Sequence, residues 1–357
     1  MKSNVKSNMK YDVIIIGAGP AGLNCAYHLS RLSKNLKILI VEKNRVIGPK
    51  VCAGGLLNHD LRYLRPPAGL MDRSFSKVLG HGILGSSTVD IGRDIIHTID
   101  RKRLGQWMAS RICGRVKILT GRTVTDITDR YIVLTDKSKG GSKIHYNYLV
   151  GADGSSSMVR KYLGLKTEKF GVGMQYILPK KSVKKYQDIE FFFNSRYFGM
   201  GYAWIFPHKD SVSIGCGCSS DMINAKKLRE NLDAWLKKKD IDVHGARFEA
   251  CIMNHDYRGY RFGRIFLAGD AAGLISVLSG EGIYTSLISG EEVARLIHDK
   301  DYDPAPMRRL VATLARHEKI FRTVSRAKFL RQFWFEIGIQ MSKREKLIKK
   351  YSHINEY

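Results

Sequence analysis

Three glycines and one acid near the start of the chain carry the first legible chemistry. Gly17, Gly19 and Gly22 stand at the spacing G-x-G-x-x-G, and Glu42 follows about 20 residues later. Such a cluster binds a dinucleotide when a strand precedes it and a helix follows. The apolar run Val13 to Ile16 reads as a strand buried on both faces. Ala21 to Leu32 reads as a helix, with Pro20 in the first turn, where a missing N–H costs nothing. Lys37 to Val41 reads as a second strand that delivers Glu42 at its end. Gly17 permits the tight turn, Gly19 lets a pyrophosphate approach the backbone, and Gly22 lets helix and strand pack closely. The helix N-terminus offers free N–H groups to phosphates, and the acid accepts from a ribose hydroxyl.

Four further stretches offer reactive or shape-giving groups. The loop Gly48-Pro-Lys-Val-Cys52-Ala-Gly-Gly55-Leu56 is too rich in glycine and proline for a regular element, so it approaches something closely. Cys52 in that loop is either a small buried filler or a thiol facing a cofactor or substrate, and spacing leaves both open. Lys50 is the only cation that sequence holds beside it, which leaves a lowered thiol pKa open too. Gly151-Ala-Asp153-Gly154 and Gly269-Asp270-Ala-Ala-Gly273 each end an apolar run in a glycine–acid turn. Tyr202, Trp204 and Phe206 alternate, so on a strand they share a face.

The elements that must position these groups follow from periodicity. Short β-rich pieces fill Ser74 to Asp100. Arg101 to Arg115 is expected as an amphipathic helix, and Val116 to Leu119 and Arg122 to Ile127 as strands. Tyr131 to Leu134 and Ile144 to Tyr148 read as a hairpin around Lys139. Ser157 to Leu163 reads as helix, residues 170–220 as antiparallel strands, and Met222 to Lys238 as helix. Gly280-Glu-Gly282-Ile283 opens a helix to Ile297, and Pro306 to Lys350 reads as helical throughout. Within that tail, Ala327 to Ile339 is aromatic and flanked by bases. It suits either a lipid interface or packing on its own domain, and packing is the expectation.

The chain has 357 residues, and its Lys and Arg outnumber Asp and Glu by 60 to 33, a net charge of +27. This excess favours an anionic partner such as a lipid surface, unless it reflects only a lysine-biased proteome. Nucleic acid is not expected, because no RNP, zinc-finger or helix-turn-helix pattern is present. The six cysteines lack zinc spacing, so no metal is expected, and their pattern suits a reducing cytoplasm. Lys2, Lys6 and Lys10 before an apolar run imitate a signal peptide, but that run is the nucleotide-binding strand. The first eight residues read as a disordered leader, and no apolar run is long enough to span a bilayer.

Taken together, the three strand-end signatures resemble the FAD-dependent oxidoreductases of the p-hydroxybenzoate hydroxylase fold. Within that group, Lys50-Val-Cys52-Ala-Gly-Gly55-Leu and Tyr202-Ala-Trp204-Ile-Phe206-Pro, followed by Gly215-Cys-Gly217, resemble the geranylgeranyl reductases. The resemblance covers roughly residues 10–300. It implies an α/β fold: a Rossmann-like FAD-binding domain interleaved with a mostly antiparallel β substrate domain, plus C-terminal helices. The expected division is residues 9–60, 96–165 and 256–300 for FAD, residues 61–95 and 166–255 for substrate, and residues 301–357 as a helical segment.

By that similarity, Ala21 and Glu42 hold the ADP half of FAD, and Val124 touches adenine through its backbone. Cys52, Ala53 and Gly55 line the flavin, and Arg101 reaches the cofactor. Asp153 belongs with the cofactor-binding turns. Asp270 binds ribitol or pyrophosphate oxygens, and Gly282 with Ile283 presents backbone groups to the isoalloxazine. One departure stands out: Val277-Leu278 occupies the place where the family carries a proline near the flavin wall.

The implied activity is saturation of isolated C=C bonds in isoprenoid chains of lipids or quinones. Cys52, Tyr202 and Trp204 are the candidate catalytic residues, and the aromatic strand face is the candidate wall of an apolar tunnel. The electron donor is open between ferredoxin and NAD(P)H, since no second G-x-G-x-x-G is present. A flavin monooxygenase or halogenase of the same fold is the alternative. The expected location is the cytoplasm, with peripheral membrane contact possible for so basic a chain.

Overall fold

The computed structural model describes residues 9–90, 93–136, 139–183 and 185–343; the expected leader lies outside them. Its central sheet runs in the order Arg261–Phe262, Ile265–Leu267, Lys139–Gly151, Met9–Ile16, Ile38–Val41, Lys117–Leu119. The last five of these are mutually parallel, and Val124–Ile127 and Tyr131–Asp136 form an antiparallel flap on the long strand Lys139–Gly151. Each face of the sheet carries its own core. Val13 and Ile15 pack on one side with Leu23 and Leu287, while Ile14 and Ile16 pack on the other with Leu149 and Leu310. This two-sided burial is why the first strand is apolar at every inner position rather than alternating.

The second sheet has the order Arg247–Asn254, Phe170–Pro179, Ser211–Ser219, Tyr202–Pro207, Ile189–Phe192, Lys77–His81, Ser86–Asp90. It is antiparallel except where Ile189–Phe192 runs parallel to Lys77–His81. One face packs on the helix Ala225–Lys238 through Leu228, Leu232 and Trp235. The other face turns toward the small sheet Gly55–Leu57, Ile96–Thr98, Arg73–Phe75. The fold is therefore α/β, with a Rossmann-like parallel sheet interleaved with a mostly antiparallel one and closed by C-terminal helices.

Several element boundaries differ from the sequence expectation. The helix at Arg101 ends at Ser110, because Arg111 and Ile112 fold back in tight turns onto Met108 and Ala109. The helix expected from Met222 starts at Ala225, where the Asn224 side chain accepts from the Lys227 N–H at 2.9 Å. The expected hairpin is longer: its second strand spans Lys139–Gly151.

The tail is not one helix. Ala305–Arg326 breaks at Ala327, and a second helix, Arg331–Ser342, begins after a short 3-10 turn. The Arg331 guanidinium occupies the Ser325 carbonyl at 2.8 Å, a group that a continuing helix would have used. The packing expected for the aromatic stretch holds on one side only: Phe335 packs on Phe193 and Glu336 and Ile339 are buried, while Phe329, Phe333 and Trp334 are exposed. Glu336 is drawn inward because its carboxylate accepts the free N–H groups of Ile83 and Leu84.

Candidate active site

The first strand, Met9–Ile16, ends in Gly17 at a φ of +103°, and the helix Pro20–Leu32 starts at once. A Cβ on Gly17 would lie 2.2 Å from the Ala152 carbonyl, and one on Gly22 would lie 2.0 Å from that of Gly17. A Cβ on Gly19 would meet nothing within 4 Å. Two of the glycines thus serve the packing of the protein itself, and the third faces open space. The helix that follows has no side-chain cap, so its first N–H groups are free. Glu42 reaches this turn from the next strand and accepts from the Ala18 and Asn44 N–H groups, both at 2.8 Å.

Beyond this turn lies a cavity of about 510 Å³, within the range typical of small-molecule sites. Cys52, Ala53, Gly55 and Arg101 border it on one side, and Asp270, Gly282 and Ile283 on another. Tyr202, Trp204 and Phe206 form a third wall with Phe191 and Phe193. The turn residues Gly17, Gly19, Ala21 and Gly22, with Glu42 and Val124, lie outside the cavity lining, which Pro20 joins to that turn. Asp153 is turned away. Its carboxylate accepts from Ser157 Oγ at 2.6 Å and from the Met158 N–H at 2.7 Å, so it caps the short helix Met158–Tyr162.

The cavity walls are held by bonds between distant segments. Trp204 Nε1 donates to Ser213 Oγ at 3.1 Å, Ser213 donates to Gln175 Oε1 at 2.7 Å, and Gln175 Nε2 donates to the Cys52 carbonyl at 3.2 Å. This chain ties the aromatic strand to the cysteine loop. His208 contacts the Ala53 carbonyl at 2.9 Å and Asp72 at 2.9 Å, bracing the loop from behind. The Cys52 sulfur accepts from the Gly54 N–H at 3.4 Å. Lys50 pairs with Asp270 at 2.7 Å.

Tyr202 donates to the Ser279 carbonyl at 2.5 Å, across from the departure at Val277-Leu278. There the Ser276 carbonyl accepts from the Gly280 N–H at 2.9 Å, and its N–H donates to the Glu281 carbonyl, which closes the turn. Burial first, and then the nearby charge of Glu281, pushes Tyr202 up to about 12, so the phenol keeps its proton.

A polar cluster that sequence reading missed sits at the same edge. His59 contacts Glu281 at 2.5 Å, and Asp60 lies beside them, almost fully buried. Asp60 also accepts from the Leu57 N–H at 2.8 Å. Burial lifts Asp60 to about 7. Burial works against a charged His59, but the hydrogen bond and charge of Glu281 outweigh it and raise its pKa. Only Glu281 had a local signal, its place between Gly280 and Gly282; nothing near His59-Asp60 in the chain marks them.

The donor set suits an extended anionic cofactor with a flat ring. Arg101 Nε is buried beside the cavity without a partner, two helices of eight residues or more begin uncapped at Gly19 and Gly282, and Gly19 is open. Each is a donor or a space that the protein itself leaves unfilled.

Comparison with known proteins agrees. The model of the FAD binding domain family matches residues 10–297. The digeranylgeranylglycerophospholipid reductase of Methanococcus vannielii is 28% identical over 326 residues, covering 82% of this chain and 79% of its own. Among solved structures, a geranylgeranyl bacteriochlorophyll reductase-like protein from Thermoplasma acidophilum superposes with a TM-score of 0.74 at 16% identity, over 97% of this chain and 99% of that one. A flavin-dependent brominase superposes at 0.70 and 17% identity, over 95% and 93%. At these identities the structural likenesses speak for the fold alone.

Proposed function

The chain belongs to the FAD binding domain family, and from that premise we propose that it is an FAD-dependent reductase saturating isolated C=C bonds of isoprenoid chains, of geranylgeranyl type, in lipids or quinones. The observation that carries this reading is the wall of aromatic side chains, Phe191, Phe193, Tyr202, Trp204 and Phe206, facing the Cys52 loop across one cavity. The names of the relatives support the same substrate class.

In this reading the FAD-binding part comprises residues 9–60, 96–165 and 256–300. Gly17, Gly19, Ala21, Gly22 and Glu42 receive the ADP half, with Val124 beside adenine. Arg101 offers its unpartnered Nε, and Asp270 accepts from ribitol hydroxyls. Ala53, Gly55, Gly282 and Ile283 bracket the ring. Asp153 contributes indirectly, by holding the turn after Gly151.

Bound FAD, once reduced, would supply a hydride to one alkene carbon, and the other carbon would take a proton from a nearby acid or water, so that one hydride and one proton saturate the bond. The chain's own residues do the rest. The aromatic faces exclude water and favour positive charge on a branched carbon, by about 0.5–2 kcal/mol each when desolvated. Ser213 holds the Trp204 indole in plane, and Ser279 holds the Tyr202 hydroxyl. Cys52 lines the cavity, and in this reading its thiol meets the substrate beside the ring. The electron donor, ferredoxin or NAD(P)H, is part of the question an assay must answer.

The test is mass spectrometry of lipids from a host with and without the gene. Two-hydrogen steps in prenyl chains are expected, and their absence with a flavin-loaded protein would refute the reading. A monooxygenase or halogenase would instead need oxygen to form product.

A further inference from the structure

Of the twelve large apolar side chains exposed among the described residues, six stand on two adjoining elements, so their exposure is not scattered. Ile83 and Leu84 form the tip of the hairpin between Lys77–His81 and Ser86–Asp90. Phe329, Phe333, Trp334 and Met341 belong to the closing helix and the turn before it. The two elements are fastened together: Glu336 accepts from the N–H groups of Ile83 and Leu84, and Ser87 Oγ meets Ser342 Oγ at 2.6 Å.

The helix Arg331–Ser342 has two apolar aspects. One side, through Gln332, Phe335, Glu336 and Ile339, faces the protein. Along the other, Leu330, Phe333, Trp334, Ile337 and Met341 recur at three- and four-residue spacing, the pattern of a single helical stripe. A globular helix should be polar there. Leu84 is 82% exposed and Phe329 83%, which water alone does not explain. Lys328 and Lys343 stand exposed at the two ends, and the helix's one acid, Glu336, is turned inward. The inner side of the same helix touches the cavity wall, since Phe335 packs at 5.3 Å on Phe193, which lines the cavity.

We propose that this surface, the outward stripe of Arg331–Ser342 with the Ile83–Leu84 tip, docks on an anionic lipid bilayer and sets the cavity wall against the membrane. The inference rests on the prenyl-lipid reading above. The occupant is a bilayer rather than a second copy because the chain carries +27, and two such surfaces repel each other. Apolar side chains between flanking bases match the layering of an anionic interface, acyl region below and headgroups above.

Flotation of the FAD-loaded protein with phosphatidylglycerol–phosphatidylcholine vesicles tests it. The wild type should float, and the triple variant Leu84→Ser, Phe333→Ser, Trp334→Ser should bind about tenfold more weakly or worse. A second variant, Lys328→Glu with Lys343→Glu, should lose about tenfold on anionic vesicles and little on neutral ones. Both should keep their yellow colour and their turnover on detergent-dispersed substrate. Unchanged flotation of the triple variant overturns the proposal, as does wild-type protein that never floats. So does a wild-type dimer in sedimentation that the triple variant abolishes, because the stripe would then be a self-interface. Vesicle binding without any prenyl reduction would leave the surface standing and refute the functional reading instead.

Discussion

Lys50 Nζ and Asp270 Oδ2 form an ion pair of 2.7 Å between the cysteine loop and the turn that ends the strand Ile265–Leu267. Asp270 is nearly buried while Lys50 is half exposed, so the acid is the more constrained partner. In the role proposed for Asp270, Asp270→Asn removes a charge-assisted acceptor, and flavin affinity should fall about tenfold or more. Fluorescence titration of the apoprotein with FAD measures this. Lys50→Met leaves the nearly buried Asp270 carboxylate without its counter-charge and with Ser155 Oγ at 3.3 Å as its donor, so the thermal midpoint should fall.

Gly17 and Gly19 should fail in different ways. Gly17→Ala forces a side chain into the Ala152 carbonyl at a positive φ, so soluble protein should drop sharply. Gly19→Ala meets no protein atom within 4 Å, so the apoprotein should melt where the wild type does. Its new methyl instead stands where the phosphates would come, and the purified protein should be colourless. Equal loss of stability in both variants would contradict this division.

Trp204 and Ser213 should behave as one unit. Trp204→Ala should cut turnover on a prenyl lipid by about two- to thirtyfold, the factor that corresponds to about 0.5–2 kcal/mol from one desolvated aromatic face. Trp204→Phe keeps a ring but loses the 3.1 Å bond to Ser213, so it should fall between the two. Flavin content, read from absorbance, should match the wild type in both.

Cys52→Ala should lower turnover without lowering flavin content. The loop is held by Gln175 at the Cys52 carbonyl and by His208 at the Ala53 carbonyl, and neither bond uses the thiol. Turnover equal to that of the wild type would remove the thiol from the chemistry.

Asp60 and His59 make stability depend on pH with one sign. Folded Asp60 holds its proton up to about 7, whereas an unfolded aspartate releases it near 4. The folded state therefore loses ground as pH rises from about 4 to about 7. His59 is raised, so its contribution is present at low pH and is lost as pH climbs through the folded value. The thermal midpoint should decline between about pH 4 and pH 7, and further as pH climbs through the raised His59 value, and Asp60→Asn should flatten the first part of that decline.

The nucleotide-binding turn and its flanking elements were legible because everything they need is local. A strand, a turn at positive φ, an uncapped helix and an acid follow one another within one short segment, and each has its own residue signature. The alternation of Tyr202, Trp204 and Phe206 was legible for the same reason, since the pleat alone puts them on one face. Boundaries failed where nearby side chains bond the backbone and apolar periodicity does not show it: Arg331, six residues on, takes the Ser325 carbonyl, and Asn224 caps the helix it immediately precedes.

The amino-acid sequence alone determined the Rossmann-like sheet, the glycine–acid corners and the aromatic strand, because periodicity and turn chemistry act between neighbours in the chain. Only the tertiary structure decided that Lys50 meets Asp270, that His59 meets Glu281, and that Asp153 caps a helix rather than facing the cavity. It also decided which side of the closing helix looks outward. Those pairings join segments far apart in the chain, and no local pattern encodes which distant side chain will arrive; burial of the shared core brings them together.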